Sequence, residues 1–252
     1  MDAIFQQQTI RVALIGRNLV DILPLLRRFP AVQLVEDAPD LVISHGGDGS
    51  LLGAERSYPG VPKCPIRDRR QNPKCPLHDE KTVLSKLFHG ELQRTQLRKL
   101  SAKTEAGEEL RGINDVVLSR KLAMSAIRYR LWLDGVLYRS QIVADSLVVA
   151  TPFGSTGYFQ SITHGNFQTG IGLAFNNSMD LLGHTVVSEN TKLTVQLLRG
   201  PAVLVADNDS HQLSLKTDDL LHVRVMSQKT PVYGIDIFRC YDCYHLRRDG
   251  VM

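Results

Sequence analysis

The sequence predicts an α/β amino-terminal domain followed by a β-rich, β-sandwich-like second domain. Over residues 1–90, β-branched apolar runs alternate with stretches of helical spacing, the pattern of a parallel sheet covered by helices. From residue 91, short alternating strands bounded by turn residues replace that pattern. The third observation is a glycine loop, Ser44–Ser50, directly after an apolar strand; in open α/β sheets, ligands bind at that end of a strand.

In chain order, Ile10–Ile15 is apolar, β-branched and followed by Gly16, so it reads as a buried first strand. Val20–Phe29 has helical spacing, with Pro24 tolerable only near the first turn. Val32–Val35 and Leu41–Ser44 read as further strands, and Leu51–Arg56 as a helix after the glycine loop. Tyr58–His78 holds five prolines, two cysteines and the cluster Arg67, Arg69, Arg70, which argues against a helix or a central strand. Glu80–His89 resumes helical spacing and stops at Gly90, where the domain boundary is placed. Beyond it, Ile127–Leu133 and Val136–Ile142 flank Asp134-Gly135, a strong hairpin signal. Lys192–Leu197, Ala202–Ala206, Gln212–Lys216 and Leu220–Met226 read as strands, and helices are expected to start near Gly157 and near Leu173.

Composition narrows the class. With 43% apolar and 22% charged residues, the chain has the balance of a globular protein. A net charge of +4, evenly spread, does not point to nucleic acid and suits phosphate-bearing ligands equally well. No apolar stretch approaches the roughly 20 residues that span a bilayer. The start, Met-Asp-Ala-Ile-Phe-Gln-Gln-Gln, does not read as a secretory signal, so a cytoplasmic location without membrane attachment is expected. Four cysteines in such a compartment are not expected to form structural disulfides.

The chemistry concentrates in three segments. Gly46, Gly47 and Gly49 surround Asp48, with Ser50 behind them; glycine lets backbone approach a ligand, and successive amides at a helix start face an anion. A carboxylate there repels phosphate unless it holds a metal or accepts a proton from an attacking hydroxyl, which suggests phosphoryl transfer to an alcohol. Gly-Gly-Asp-Gly alone is also an ordinary tight turn, and it is neither a Walker loop nor a dinucleotide fingerprint. Asn114 and Asp115 open an apolar strand; Asn can both donate and accept at an adenine edge, and a carboxylate accepts from ribose hydroxyls. Asp145 precedes the buried run Ser146–Ala150, and Ser155, Thr156, Gly157 and Tyr158 follow at what reads as a helix start. There Ser155 or Thr156 is equally readable as a helix cap.

In this order the three segments resemble the motifs of the NAD kinase family, and the resemblance covers most of the chain. It implies an NAD kinase-like two-domain fold, with residues 1–90 as the α/β domain, 91–230 as the NAD-binding β-rich domain, and 231–252 as a tail returning to the first. It implies transfer of the γ-phosphoryl of ATP, or of polyphosphate, to the 2′-hydroxyl of the adenosine ribose of NAD. Mg²⁺ would travel with the triphosphate, and a homodimer or homotetramer is expected. By resemblance Asp48 is the activating carboxylate, and Gly46, Gly47, Gly49 and Ser50 form its nucleotide-binding loop. Asn114 and Asp115 hold the adenosine, Asp145 meets the second nucleoside, and Thr156, Gly157 and Tyr158, with Ser155, line the dinucleotide pocket.

The chain also departs from the family. Pro65–Cys75 stands where the family's apolar pocket wall is expected, which leaves the acceptor more open than the reaction type. Cys64 and Cys75 flank that insert, and Cys240-x-x-Cys243 lies near the carboxyl end. A returning tail would let the two pairs meet as four thiolates around a structural Zn²⁺; free thiols or a redox pair are the other readings. Arg67, Arg69 and Arg70 read as a solvated charged surface more readily than as a phosphate funnel, and His45 as a phosphate contact or an exposed turn residue. A related kinase with another acceptor and a non-catalytic nucleotide-binding regulator stay open at this level.

Overall fold

The computed structural model describes residues 2–70, 76–180 and 182–242. By internal contacts, Arg98–Lys229 forms one compact unit and the described residues on either side form the other.

The flanking unit is built on a six-stranded sheet. Its strands are β1 (Ile10–Gly16), β2 (Val32–Leu34), β3 (Leu41–Gly46), β4 (Lys63–Arg67), β5 (Arg94–Leu97) and the returning β18 (Thr230–Tyr233), in the spatial order β2-β1-β3-β4-β18-β5. All neighbours are parallel except β18 and β5. Helices cover both faces. Ala13 and Val42 meet Ala54 of α2 (Asp48–Ser57) on one side. Val12, Leu41 and Ile43 meet Leu26 of α1 (Leu23–Leu26) and Val83, Leu84 and Leu87 of α3 (Glu80–Phe88) on the other. Consecutive strand residues thus enter opposite cores, which is why these strands read as unbroken apolar runs.

Two expectations change here. The helix expected over Val20–Phe29 is only the four residues of α1, preceded by a 3-10 turn at Leu19–Asp21. Pro24, in its first turn, has no amide to donate, and Asn18 just upstream is left-handed at φ 49°. More consequentially, Tyr58–His78 does contain a central strand. All five residues of β4 are buried between β3 and β18 despite Pro65. Val42 N–H donates to Pro62 O and Asp68 N–H to Gly46 O, so even-numbered residues of β4 bond toward β3. Pro65 turns its missing donor to the other side, where the β18 register is Val232↔Lys63 alone. Proline costs nothing where no partner strand asks for an amide.

The second unit holds two six-stranded antiparallel sheets. Its strands are β6 (Leu100–Thr104), β7 (Glu109–Gly112), β8 (Asp115–Arg120), β9 (Ile127–Leu133), β10 (Val136–Ala144), β11 (Ser146–Ala150), β12 (Ile171–Asn176), β13 (His184–Val187), β14 (Leu193–Arg199), β15 (Ala202–Ala206), β16 (Leu213–Leu215) and β17 (Leu220–Val225). One sheet runs β10-β9-β14-β17-β6-β7 and the other β13-β12-β11-β8-β15-β16. Their inner faces share one apolar core, including Tyr129, Leu131, Val195 and Val223 from the first and Leu118, Leu147, Leu173 and Leu204 from the second. This is the sandwich expected. At the β9–β10 hairpin Asp134 and Gly135 both have positive φ, 50° and 81°, as a type I′ turn requires.

The outer face of the second sheet is covered by α4 (Tyr158–Thr163), whose Phe159 packs on Val117, Val148 and Ala174. Burying that ring contributes about 2–3 kcal/mol. The helix expected near Leu173 is instead strand β12, paired with β11 on one side and β13 on the other. A short apolar run fits a buried helix or a central strand equally well, and here two neighbouring strands claim its backbone.

Candidate active site

In the flanking unit the site begins at β3. Gly46 closes the strand at φ 144°, and a Cβ there would collide with Ser50 Oγ. Gly47 is the N-cap and Asp48 is the first helical residue of α2, so the helix starts three residues before the expected Leu51 and carries the carboxylate itself. An acidic side chain in the first turn is favoured by the helix dipole. The Asp48 side chain stays 40% exposed. Arg67 Nη2 lies 3.4 Å from Asp48 Oδ1, and Arg239 Nη2 lies 3.0 Å from Oδ2.

Arg67 is therefore no solvated surface charge. It closes β4, is buried, donates from Nε to Phe238 O at 2.8 Å, and stacks its guanidinium 3.9 Å from the Phe238 ring centroid. Phe238 ends α5 (Ile235–Phe238), and Arg239 follows it. Arg69 and Arg70 do lie outward, paired with Asp79 and Asp21. His45 is not an exposed turn residue either. It is fully buried on β3, and its Nδ1 donates to Arg17 O at 2.7 Å.

In the sandwich unit Asn114 and Asp115 form the centre of a tight knot. Asp207, in the loop after β15, accepts three backbone N–H groups, from Ile113 (3.0 Å), Asn114 (2.8 Å) and Asp115 (3.2 Å). From the other side, Thr151 N–H donates to Asn114 O at 2.8 Å and its hydroxyl to Ile113 O at 2.6 Å. Gly154 abuts the same segment so closely that a Cβ would collide with the Asn114 carbonyl. Burial, reinforced by the Asp207 carboxylate, pushes Asp115 up from 3.8 to about 7. Asn114 Oδ1 is buried and accepts no hydrogen bond from a described residue. An unsatisfied buried acceptor is costly, and an incoming donor relieves that cost.

Asp145 is paired with Arg120 Nη1 at 2.9 Å and accepts from Asn177 Nδ2 at 3.1 Å. Ser155 is buried, and its hydroxyl reaches Pro152 O (2.7 Å) and Phe167 O (3.2 Å), so it serves the turn it sits in. Thr156 ends the 3-10 turn Gly154–Thr156, and Gly157 is the N-cap of α4. Tyr158 is partly exposed, with its hydroxyl 3.0 Å from Asn176 Nδ2 and 3.4 Å from Ser146 Oγ.

Of the proposed thiolates, Cys75 and Cys243 lie outside the described residues. Cys64 sits on β4 inside the apolar core, where burial pushes its thiol up to about 12, and Cys240 is buried just after Arg239. Among the described residues no group of three or more His, Cys, Asp or Glu side chains is placed to hold a metal ion. Sequence reasoning missed Asp207, Thr151 and Arg239. Asp207 stood in view in Asp207-Asn208-Asp209-Ser210, but nothing in that segment announces three amides converging on one carboxylate.

The ATP-NAD kinase C-terminal domain family matches residues 113–235. An NAD kinase from Clostridium beijerinckii is 27% identical over 231 residues, covering 84% of this chain and 78% of that protein. One from Acinetobacter baylyi is 32% identical over 216 residues, covering 76% of this chain and 66% of its own length. Among solved structures, yeast NADH kinase complexed with NADH shares the fold with a TM-score of 0.78 at 14% identity, covering 91% of this chain and 84% of that one. An NAD kinase from Archaeoglobus fulgidus in complex with ATP gives 0.75 at 21%, covering 92% and 97%. Motif order, matched family region and shared fold agree: the chain belongs to the NAD kinase family.

Proposed function

We propose that this protein is an NAD kinase, transferring the terminal phosphoryl group of ATP to the 2′-hydroxyl of the adenosine ribose of NAD. The observation that carries the reading is Asp48, a half-exposed carboxylate on the first residue of α2, at the carboxyl end of β3 and between glycines. A ribose hydroxyl is a poor nucleophile at neutral pH. In this reading O2′ attacks the terminal phosphorus, the bond from phosphorus to the bridging oxygen breaks to release ADP, and the hydroxyl proton passes to Asp48.

The divalent cation enters with the triphosphate as part of the substrate. Asp48 is paired with two guanidinium groups rather than with other metal-ligating side chains, so no step is routed through a protein-held metal, and the role assigned to Asp48 is proton acceptor for O2′. Asn114 and Asp115 are assigned to the adenosine. The Asp207 clamp and the Thr151–Gly154 turn hold their backbone rigid, and rigid positioning is most of what a phosphoryl-transfer enzyme contributes. Asp145 and Tyr158 are assigned to the remainder of the dinucleotide. A structural zinc on Cys64, Cys75, Cys240 and Cys243 is a separate proposal; purification without added zinc followed by metal analysis decides it, and substoichiometric metal refutes it.

Incubation with ATP, Mg²⁺ and NAD should yield NADP, read by an NADP-specific dehydrogenase. Asp48→Asn keeps the shape of the site and removes the proton acceptor, so kcat should fall on the order of 10²-fold or more. A variant with near-wild-type turnover would show that Asp48 is not the base.

A further inference from the structure

We propose that Arg67 and Arg239 are the binding residues for the donor's terminal phosphate, and that their pairing with Asp48 is the resting state of that site. The inference deepens the kinase reading and rests on it for its catalytic half. Asp48 lies 3.4 Å from one guanidinium and 3.0 Å from the other. In the resting pair each Asp48 oxygen is turned to a guanidinium rather than to an incoming hydroxyl, and the carboxylate is freed when something more anionic draws the guanidiniums away. The phosphoanhydride terminus of the donor is such a group, and the guanidinium fork matches phosphate oxygens in a bidentate way. The two guanidiniums beside the carboxylate offset the repulsion that Asp48 alone would impose on phosphate.

The geometry singles out these two arginines. Arg67 is buried, and its plane is fixed by the Nε bond to Phe238 O and by stacking on the Phe238 ring. Its Nη1 lies 3.8 Å from the point where a Cβ on Gly47 would stand, so it borders the bare backbone of the glycine loop. Arg239, the next residue after Phe238, is 21% exposed and approaches the other carboxylate oxygen. Arg67 is thus the more buried, preorganised half of a clamp and Arg239 the more exposed half. When the phosphate takes both guanidiniums, Asp48 is released to accept the O2′ proton as the O2′–P bond forms and the bond to the leaving diphosphate breaks.

Two measurements test this on the full chain. Calorimetric titration with inorganic tripolyphosphate reads the phosphate site without catalysis. Steady-state kinetics with ATP, then with polyphosphate, at saturating NAD reads the reaction and separates the two donors. Arg239→Ala should weaken tripolyphosphate binding at least tenfold, raise the KM for the donor by a similar factor and lower kcat, with the KM for NAD within twofold of wild type. Added ethylguanidinium should restore part of the lost rate, which a merely structural defect would not allow. Arg67→Lys, which keeps the charge and folds more readily than Arg67→Ala, should lose donor affinity because lysine cannot reproduce the stacked fork. Unchanged tripolyphosphate affinity and donor KM in Arg239→Ala overturn the inference even if NADP is formed. Wild-type binding of tripolyphosphate that depends on Arg239, without NADP formation, overturns the kinase reading and leaves the phosphate site standing.

Discussion

Asp115→Asn isolates the electrostatic cost built into the knot around Asn114 and Asp115. In the fold, burial and the neighbouring Asp207 raise the Asp115 carboxyl from 3.8 to about 7. Each pH unit is worth 1.36 kcal/mol, so the folded protein prefers the protonated form by roughly 4 kcal/mol relative to the unfolded chain. The sign follows from linkage. Below about pH 4 the group is protonated in both states and contributes nothing. Between about pH 4 and 7 the folded state holds a proton that the unfolded state has lost, so stability falls as pH rises. Above about 7 the carboxyl is ionised in both states and the penalty is constant. Asparagine has the shape of the protonated acid and does not titrate. The stability of the variant minus that of wild type should therefore climb by about 3 kcal/mol from pH 5 to pH 8 and then level off. Urea denaturation at unit pH steps measures it, and subtracting the two curves cancels the titrating groups that do not interact with Asp115. A difference that stays constant within about 0.5 kcal/mol would refute the assignment of a raised carboxyl to Asp115.

Gly154→Ala drives a Cβ into the backbone of Asn114, which cannot yield as a flexible side chain would. We expect a loss of about 1–3 kcal/mol and a rise of tenfold or more in the KM for NAD, checked by denaturation and kinetics; wild-type values for both would sink the close-approach argument. Lys63 and Glu55 form a fully buried ion pair, which also holds Tyr58 O and the Gly60 amide in the turn after α2. Lys63→Met leaves the carboxylate buried without its cation and should cost about 3–5 kcal/mol, most of it recovered in Lys63→Met/Glu55→Leu. A single variant within about 1 kcal/mol of wild type would show that the pair is not the anchor of this turn.

The contrast between elements shows what could be read in advance. β1, β3, α3 and the β9–β10 hairpin announce themselves, because periodicity, caps and Asp-Gly turns are local signals: Asp79 caps α3 through the Thr82 amide, and Gly90 ends it at φ 71°. The Gly46–Ser50 loop was legible for the same reason, since glycine spacing encodes its own backbone demands. β4 was not. Pro65 argues against a central strand until one knows which of its two neighbours leaves the missing amide unclaimed. β12 failed for a related reason, an apolar run whose partners lie elsewhere in the chain.

By itself, the sequence determined the reaction class, the order of the motifs and the acidic residue at their head, because each is written in consecutive residues. Only the tertiary structure decided the company those residues keep. It gave Asp48 two arginines, one 19 and the other 191 positions away in the chain, and it gave Asn114 and Asp115 a clamp from Asp207, 93 and 92 positions away. Charge pairing and amide convergence act through space, and spacing along a chain carries no record of them until the strands have found their neighbours.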